Sequence, residues 1–179
     1  MRQALNTAPS THARGFSLVE VMVALVVLSM GLAGLAALLT TGVRATGTAN
    51  LQSVAITHSQ TGVEMMRANL QAYTAGWYTG ANTSGDAPSE VTCGGTSGCT
   101  GEEQATNDFA TWRERIAASM PDGQGFICVD STPDDGQPDA LACDGLGSSV
   151  TKIFWIDGRD TETLNGGETH HRFATVVNP

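Results

Sequence analysis

Hydrophobic side chains are distributed unevenly along this chain. From Phe16 to Leu39 it reads FSLVEVMVALVVLSMGLAGLAALL, apolar on every face of a helix, with Glu20 as its one charge. Crossing a hydrocarbon core of ~30 Å takes about 20 apolar residues, so the run is long enough to span a bilayer. From Leu51 to Tyr73 the pattern becomes amphipathic. Ser53, Thr57, Gln60, Glu64, Arg67 and Gln71 form one polar stripe, and Leu51, Val54, Ala55, Val63, Met65, Met66, Leu70 and Tyr73 lie opposite. One helix is therefore predicted from Phe16 to about Tyr73, weakened at Gly42–Gly47. Turn formers dominate from Gly76 to Asn107, which predicts a loop with little regular structure. Phe109, Trp112, Ile116 and Met120 then share one face of a short helix, with a cap at Asn107-Asp108 and an end at Pro121. Three strands are predicted after it, Phe126–Asp130, Val150–Asp157 and Arg172–Val177. The fold class is α+β, a long N-terminal helix on a small antiparallel sheet of three or four strands. The chain divides into a leader (1–15), a membrane helix (16–39), its amphipathic continuation (40–75) and a head (76–179).

Charge sharpens this division. The 179 residues carry nine basic and 18 acidic side chains, a net charge of −9, and Lys152 is the only lysine. Phosphate binding needs clustered Lys and Arg, so direct contact with nucleic acid is not expected. Arg2 and Arg14 precede the apolar run without an acid, whereas the part from Ala81 onward holds 16 acids and five bases. The positive-inside rule then places Met1 in the cytoplasm and the acidic head outside. The mean hydropathy of −0.06 averages a lipid-soluble segment and an acidic one.

A removable secretory signal has a shorter apolar core followed by a small-residue cleavage site. Here the run is longer, no A-x-A site clearly ends it, and the small residue, Gly15, precedes it. A plain uncleaved anchor leaves Glu20 unexplained, because a carboxylate in a membrane helix costs at least a few kcal/mol (~2.5 or more) without a partner. Snorkelling to the interface is the simplest alternative for Glu20. The stretch Arg14-Gly15-Phe16-Ser17-Leu18-Val19-Glu20, with its basic leader and unbroken apolar helix, resembles the class III signal of type IV pilins and pseudopilins.

The resemblance implies a specific chemistry done to the chain. A prepilin peptidase cuts between Gly15 and Phe16 on the cytoplasmic side and methylates the new Phe16 amine. Glu20 then pairs with the Phe16 amine of a neighbouring subunit during assembly. The implied partners are other major and minor pilins, the prepilin peptidase, the inner-membrane assembly platform and the membrane itself. The implied location is the bacterial inner membrane, single-pass with the N-terminus inside, and then the pilus or cell surface. The span lacks the proline that many major pilins carry, and Gly31, Gly34, Gly42 and Gly47 interrupt it instead. The distal part, with a Trp-containing helix, the turn Pro121-Asp122-Gly123-Gln124-Gly125-Phe126 and the strand KIFWID, resembles PilV-like minor pilins, the type IV pilus modification proteins. A minor pseudopilin of type II secretion shares the N-terminal signal, and a tip adhesin whose loop touches a receptor is a third reading.

Cys93, Cys99, Cys128 and Cys143 all lie in the exported part. An even count in that setting suggests disulfides, and four cysteines allow three connectivities. Local pairing, Cys93 with Cys99 and Cys128 with Cys143, is the economical choice. The second bridge would close an acidic loop that is otherwise floppy and solvated. Zinc wants shorter spacings than these. Asp130, Asp134, Asp135, Asp139 and Asp144 raise calcium as an alternative, but the EF-hand pattern is absent. His58 falls in the apolar arc and reads as a packed, hydrogen-bonded residue. His170 and His171 point to opposite faces of a strand, which disfavours a joint metal site. No nucleophile elbow, P-loop, zincin or dinucleotide fingerprint occurs. The expectation is a structural protein without a catalytic residue, metal or cofactor.

Overall fold

The computed structural model describes residues 15–80, 98–158 and 170–177. The chain falls into two compact units, Met1–Val43 and Arg44–Pro179. Helix α1 runs from Leu18 to Ala68, followed by the single turns α2 (Leu70–Thr74) and α3 (Trp77–Gly80). Helix α4 (Gly101–Ser119) leads into three strands, β1 (Gln124–Asp130), β2 (Ser148–Trp155) and β3 (His171–Val176), antiparallel in the order β1-β2-β3. This is an α+β, pilin-like architecture.

Several boundaries differ from the sequence expectation. The long helix ends at Ala68 rather than Tyr73, because the Asn69 side chain accepts from the Ala72 N–H and caps a new turn. No break occurs at Gly42–Gly47, where α1 is continuous. The expected loop from Gly76 to Asn107 is also wrong at both ends. Its start contains α3, and α4 begins eight residues before Phe109. The start of α4 is a capping box, in which Thr100 Oγ1 accepts from the Glu103 N–H and the Glu103 carboxylate accepts from the Thr100 N–H.

In the unit beginning at Arg44, one face of the sheet packs on helices. Ile127, Ile153 and Trp155 join Ala55, Met66, Phe109, Trp112 and Ile116 in one core. Trp112 is its centre. Its indole N–H donates to the His58 carbonyl at 2.8 Å. A Cβ added to Gly62 of α1 or to Gly125 of β1 would meet its ring at 3.2 and 2.8 Å, so two glycines let helix and strand close on the tryptophan. The Ser59 and Thr151 hydroxyls, both buried, bond at 2.9 Å across the α1–β2 contact. His58 accepts or donates at Nε2 with Ser119 Oγ at 2.7 Å, as a packed histidine should.

The opposite face of the sheet is buried too. Register places Phe126 and Cys128 of β1 beside Lys152 and Val150 of β2, and Lys152 and Phe154 beside Ala174 and Arg172 of β3. Phe126, Cys128, Val150, Lys152 and Phe154 are all buried. Residues 131–144 cover this face, and the loop read as floppy and solvated is part of the head's structure.

Candidate processing and assembly site

Gly15, Phe16 and Ser17 precede the helix, and Leu18 is its first residue. The Gly15–Phe16 peptide bond is thus outside the helical hydrogen-bond ladder. A Cβ at Gly15 would meet nothing within 4 Å, and Phe16 is 83% exposed. Glu20 sits in the first turn of α1, where the helix dipole favours a carboxylate. Its N–H donates to the Ser17 carbonyl at 3.0 Å, so the side chain alone is left for other partners.

The helix beyond Glu20 suits an apolar environment. Leu18, Val21, Leu25, Leu28, Leu32, Leu35 and Leu39 all expose half or more of their surface, apart from Val21 at 49%. It is long and apolar enough to cross a membrane. The Ser29, Thr40 and Thr41 hydroxyls donate back to helix carbonyls three or four residues earlier, at 2.8, 2.8 and 3.1 Å. Those polar groups need no water. Gly31, Gly34 and Gly42 have open space where a Cβ would stand, which gives neighbouring helices room for close approach.

The second cluster lies on the outer face of the head. Cys128 and Cys143 form a disulfide with Cα atoms 6.2 Å apart. Cys99 is disulfide-bonded as well, and Cys93 lies outside the described residues. Within the closed loop, Lys152 points its ammonium at oxygen atoms only. Nζ is 2.5 Å from Asp130 Oδ2, and both side chains are fully buried. It donates to the Leu141 carbonyl at 2.9 Å and to the carbonyl and Oδ1 of Asp135 at 3.1 Å each. Arg172 on β3 reaches the same loop, donating to the Gly136 carbonyl at 2.6 Å and to the Asp134 carbonyl.

The loop carboxylates are thus engaged rather than displayed. A hydrogen bond from Thr132, and then the Lys152 ammonium, hold the Asp135 carboxyl below the usual carboxylate range. Asp144 is held down by the Ser131 hydroxyl and by the Leu146 N–H. Asp130, read as one of five solvated loop acids, instead closes β1 as a buried ion-pair partner. Cys128, Asp130 and Cys143 are the one trio of potential metal ligands found among the described residues. Their sulfurs are bonded to each other and their carboxylate to Lys152, so the trio is not a ligand set. The signal that sequence reasoning passed over was Lys152 itself, a lone lysine inside the apolar strand VTKIFWID.

His170 and His171 part company as expected of adjacent strand residues. His170 bonds Asp122 at 2.8 Å, and His171 stacks on Trp155 with ring centroids 5.6 Å apart.

Residues 10–36 match the prokaryotic N-terminal methylation motif. No curated protein and no solved structure matches the chain. The matched segment contains Gly15, Phe16 and Glu20 and extends into the exposed apolar part of α1. The chain therefore carries a type IV pilin-like prepilin signal at the head of an α+β, pilin-like architecture.

Proposed function

We propose that the chain is the precursor of a minor pilin that joins the tip or priming complex of a type IV pilus. In this reading a prepilin peptidase cuts between Gly15 and Phe16 and methylates the new amine of Phe16. The protein is the substrate of that chemistry and performs none itself. The observation that carries the reading is the Gly15-Phe16 pair with Glu20 four residues beyond Phe16, inside a matched methylation motif, opening a helix with exposed apolar side chains.

Before assembly the apolar segment anchors the protein in the inner membrane with Met1 on the cytoplasmic side. Cleavage creates an ammonium at Phe16, and in a bundle of like helices a neighbour's Glu20 meets it. Attraction between such charges grows as the local dielectric falls, and an unpaired buried charge is penalised. The pair therefore sets the axial register of incoming subunits. Gly31, Gly34 and the small residues near them allow close packing against other major and minor pilins at the assembly platform. Cleavage also removes Arg2 and Arg14, leaving seven bases against 18 acids, a side-chain charge of −11. Any DNA handled by such a pilus needs a more basic partner subunit.

The test is the N-terminal mass of the protein recovered from sheared pili. Methylated Phe16 at the start is expected. An intact Met1 leader in assembled pili refutes the proposal. Methylated protein that is absent from pili but required for type II secretion assigns it instead to the pseudopilins.

A further inference from the structure

The ammonium of Lys152 is surrounded as a bound metal ion would be. Asp130 supplies a carboxylate oxygen at 2.5 Å, Asp135 a carboxylate and a carbonyl oxygen at 3.1 Å, and Leu141 a carbonyl oxygen at 2.9 Å. We propose that this oxygen cage is a cation-binding site filled from within the chain, and that a small residue at position 152 opens it to calcium.

Three observations carry the inference. The first is the donor set, which is all oxygen, half of it carboxylate, the hard and flexible set that Ca²⁺ takes at about 2.3–2.6 Å. The Asp130 contact already falls in that range and the other three are about 0.3–0.8 Å longer, so contraction of the loop onto the ion suffices. Mg²⁺ wants near-octahedral geometry at about 2.0–2.1 Å, and this cage is too wide for it. The second is charge. Asp130 and Asp135 together bring two negative charges, and Lys152 answers one. Arg172 holds the neighbouring carbonyls of Asp134 and Gly136 and contributes to the balance from the side. A divalent ion in place of Nζ would answer both carboxylates. The third is placement. The Cys128–Cys143 disulfide closes the segment that supplies Asp135 and Leu141, so the donors stay near one another when the lysine is shortened.

For the native protein the consequence is that the outer cover of the sheet is ordered by a tethered cation. Its order does not depend on the calcium concentration of the surrounding solution. The inference is independent of the pilin reading, since it concerns the head alone.

The test uses the full chain in detergent micelles, with melting temperature and hydrogen exchange of residues 131–144 as readouts. For the wild type, millimolar CaCl₂ and EDTA give the same melting temperature and the same exchange. Lys152→Ala in EDTA melts about 10 °C lower, as expected for loss of one partner of a buried pair. Exchange in residues 131–144 rises about tenfold or more. Millimolar Ca²⁺ reverses most of both effects and Mg²⁺ does not. Adding Asp135→Asn removes the response. Lys152→Met, which fills the space without charge, does not respond to Ca²⁺. If Lys152→Ala does not fold in EDTA, refolding it in Ca²⁺ restores the head, and failure to refold there overturns the proposal. It is equally overturned by a wild type that shifts with Ca²⁺, by a folded Lys152→Ala that Ca²⁺ leaves unchanged, or by a Met variant that responds.

Discussion

Gly125→Ala tests how tightly α4 is seated on β1. A Cβ at Gly125 would stand 2.4 Å from Ile116 Cδ1 and 2.8–2.9 Å from the Trp112 ring, both side chains being in the buried core. Overpacking of this kind costs about 1–3 kcal/mol. Replacing glycine in a strand recovers roughly 0.5–1 kcal/mol of chain entropy. The net loss is then about 1–2 kcal/mol, or a melting temperature lower by about 4–8 °C for a unit of this size. The sharper test is a double-mutant cycle with Ile116→Val, which deletes the Cδ1 methyl nearest the added Cβ. Alone, Ile116→Val leaves a small void and costs about 0.5–1.5 kcal/mol. In the Gly125→Ala background the same change relieves the clash and is neutral or stabilising, a coupling of about 1 kcal/mol or more. Gly62→Ala is the control. Its Cβ would meet Trp112 and Thr151 at 3.2 Å, and its helical position gains about 1 kcal/mol over glycine, so the variant stays within about 1 kcal/mol of wild type. The assay is urea unfolding of the detergent-solubilised chain, followed by tryptophan fluorescence. Additive effects of Gly125→Ala and Ile116→Val refute the seating argument.

Other perturbations probe other parts of the chain. Glu20→Gln leaves cleavage and membrane insertion intact but depletes the protein from sheared pili several-fold, measured by immunoblot of pilus and membrane fractions; equal incorporation removes the assembly role. Burial, and then the charge of Arg115, lower the pKa of His58 below its ordinary 6.5. The unfolded chain therefore takes up that proton first, and the contribution to stability is full above pH 6.5 and lost as the pH falls toward the folded value. Melting temperatures between pH 7.5 and 5.5 should decline less in His58→Gln than in wild type, and an unchanged slope contradicts the assignment. Gln137 buries both polar atoms of its side-chain amide without a partner among the described residues. Gln137→Leu should raise stability by about 1 kcal/mol, measured by the same urea unfolding, and a loss of that size would show that the amide is satisfied in solution.

What the sequence made legible is what it encodes locally. The processing signal occupies six adjacent positions, Gly15 to Glu20, and the apolar run follows without interruption. The strands around VTKIFWID and RFATVV announce themselves by composition, and each lies within two residues of its expected ends. The capping box at Thr100 and Glu103 was equally local, but Gly98 before it and Gly101 within it masked the start of α4. The second face of the sheet is a different matter. Lys152 meets Asp135 across 17 positions, and Arg172 meets Gly136 across 36. No periodicity marks such contacts, because residues 131–144 have no regular structure to impose one. An acidic, proline-containing loop reads as solvated until a buried ammonium is found beneath it.

That buried ammonium also defines the reactivity of the surface. Lys152 is the only lysine, and its side chain has no exposure. The folded head thus presents no lysine amine to acylating reagents, amine crosslinkers or lysine-directed proteases. The α-amine is the single remaining primary amine; in the proposed processing it would leave with the leader, and the new Phe16 amine would become secondary on methylation. Amine labelling of the folded chain under mild conditions therefore reports on the N-terminus alone, and the mass of the labelled peptide reads out its processing state.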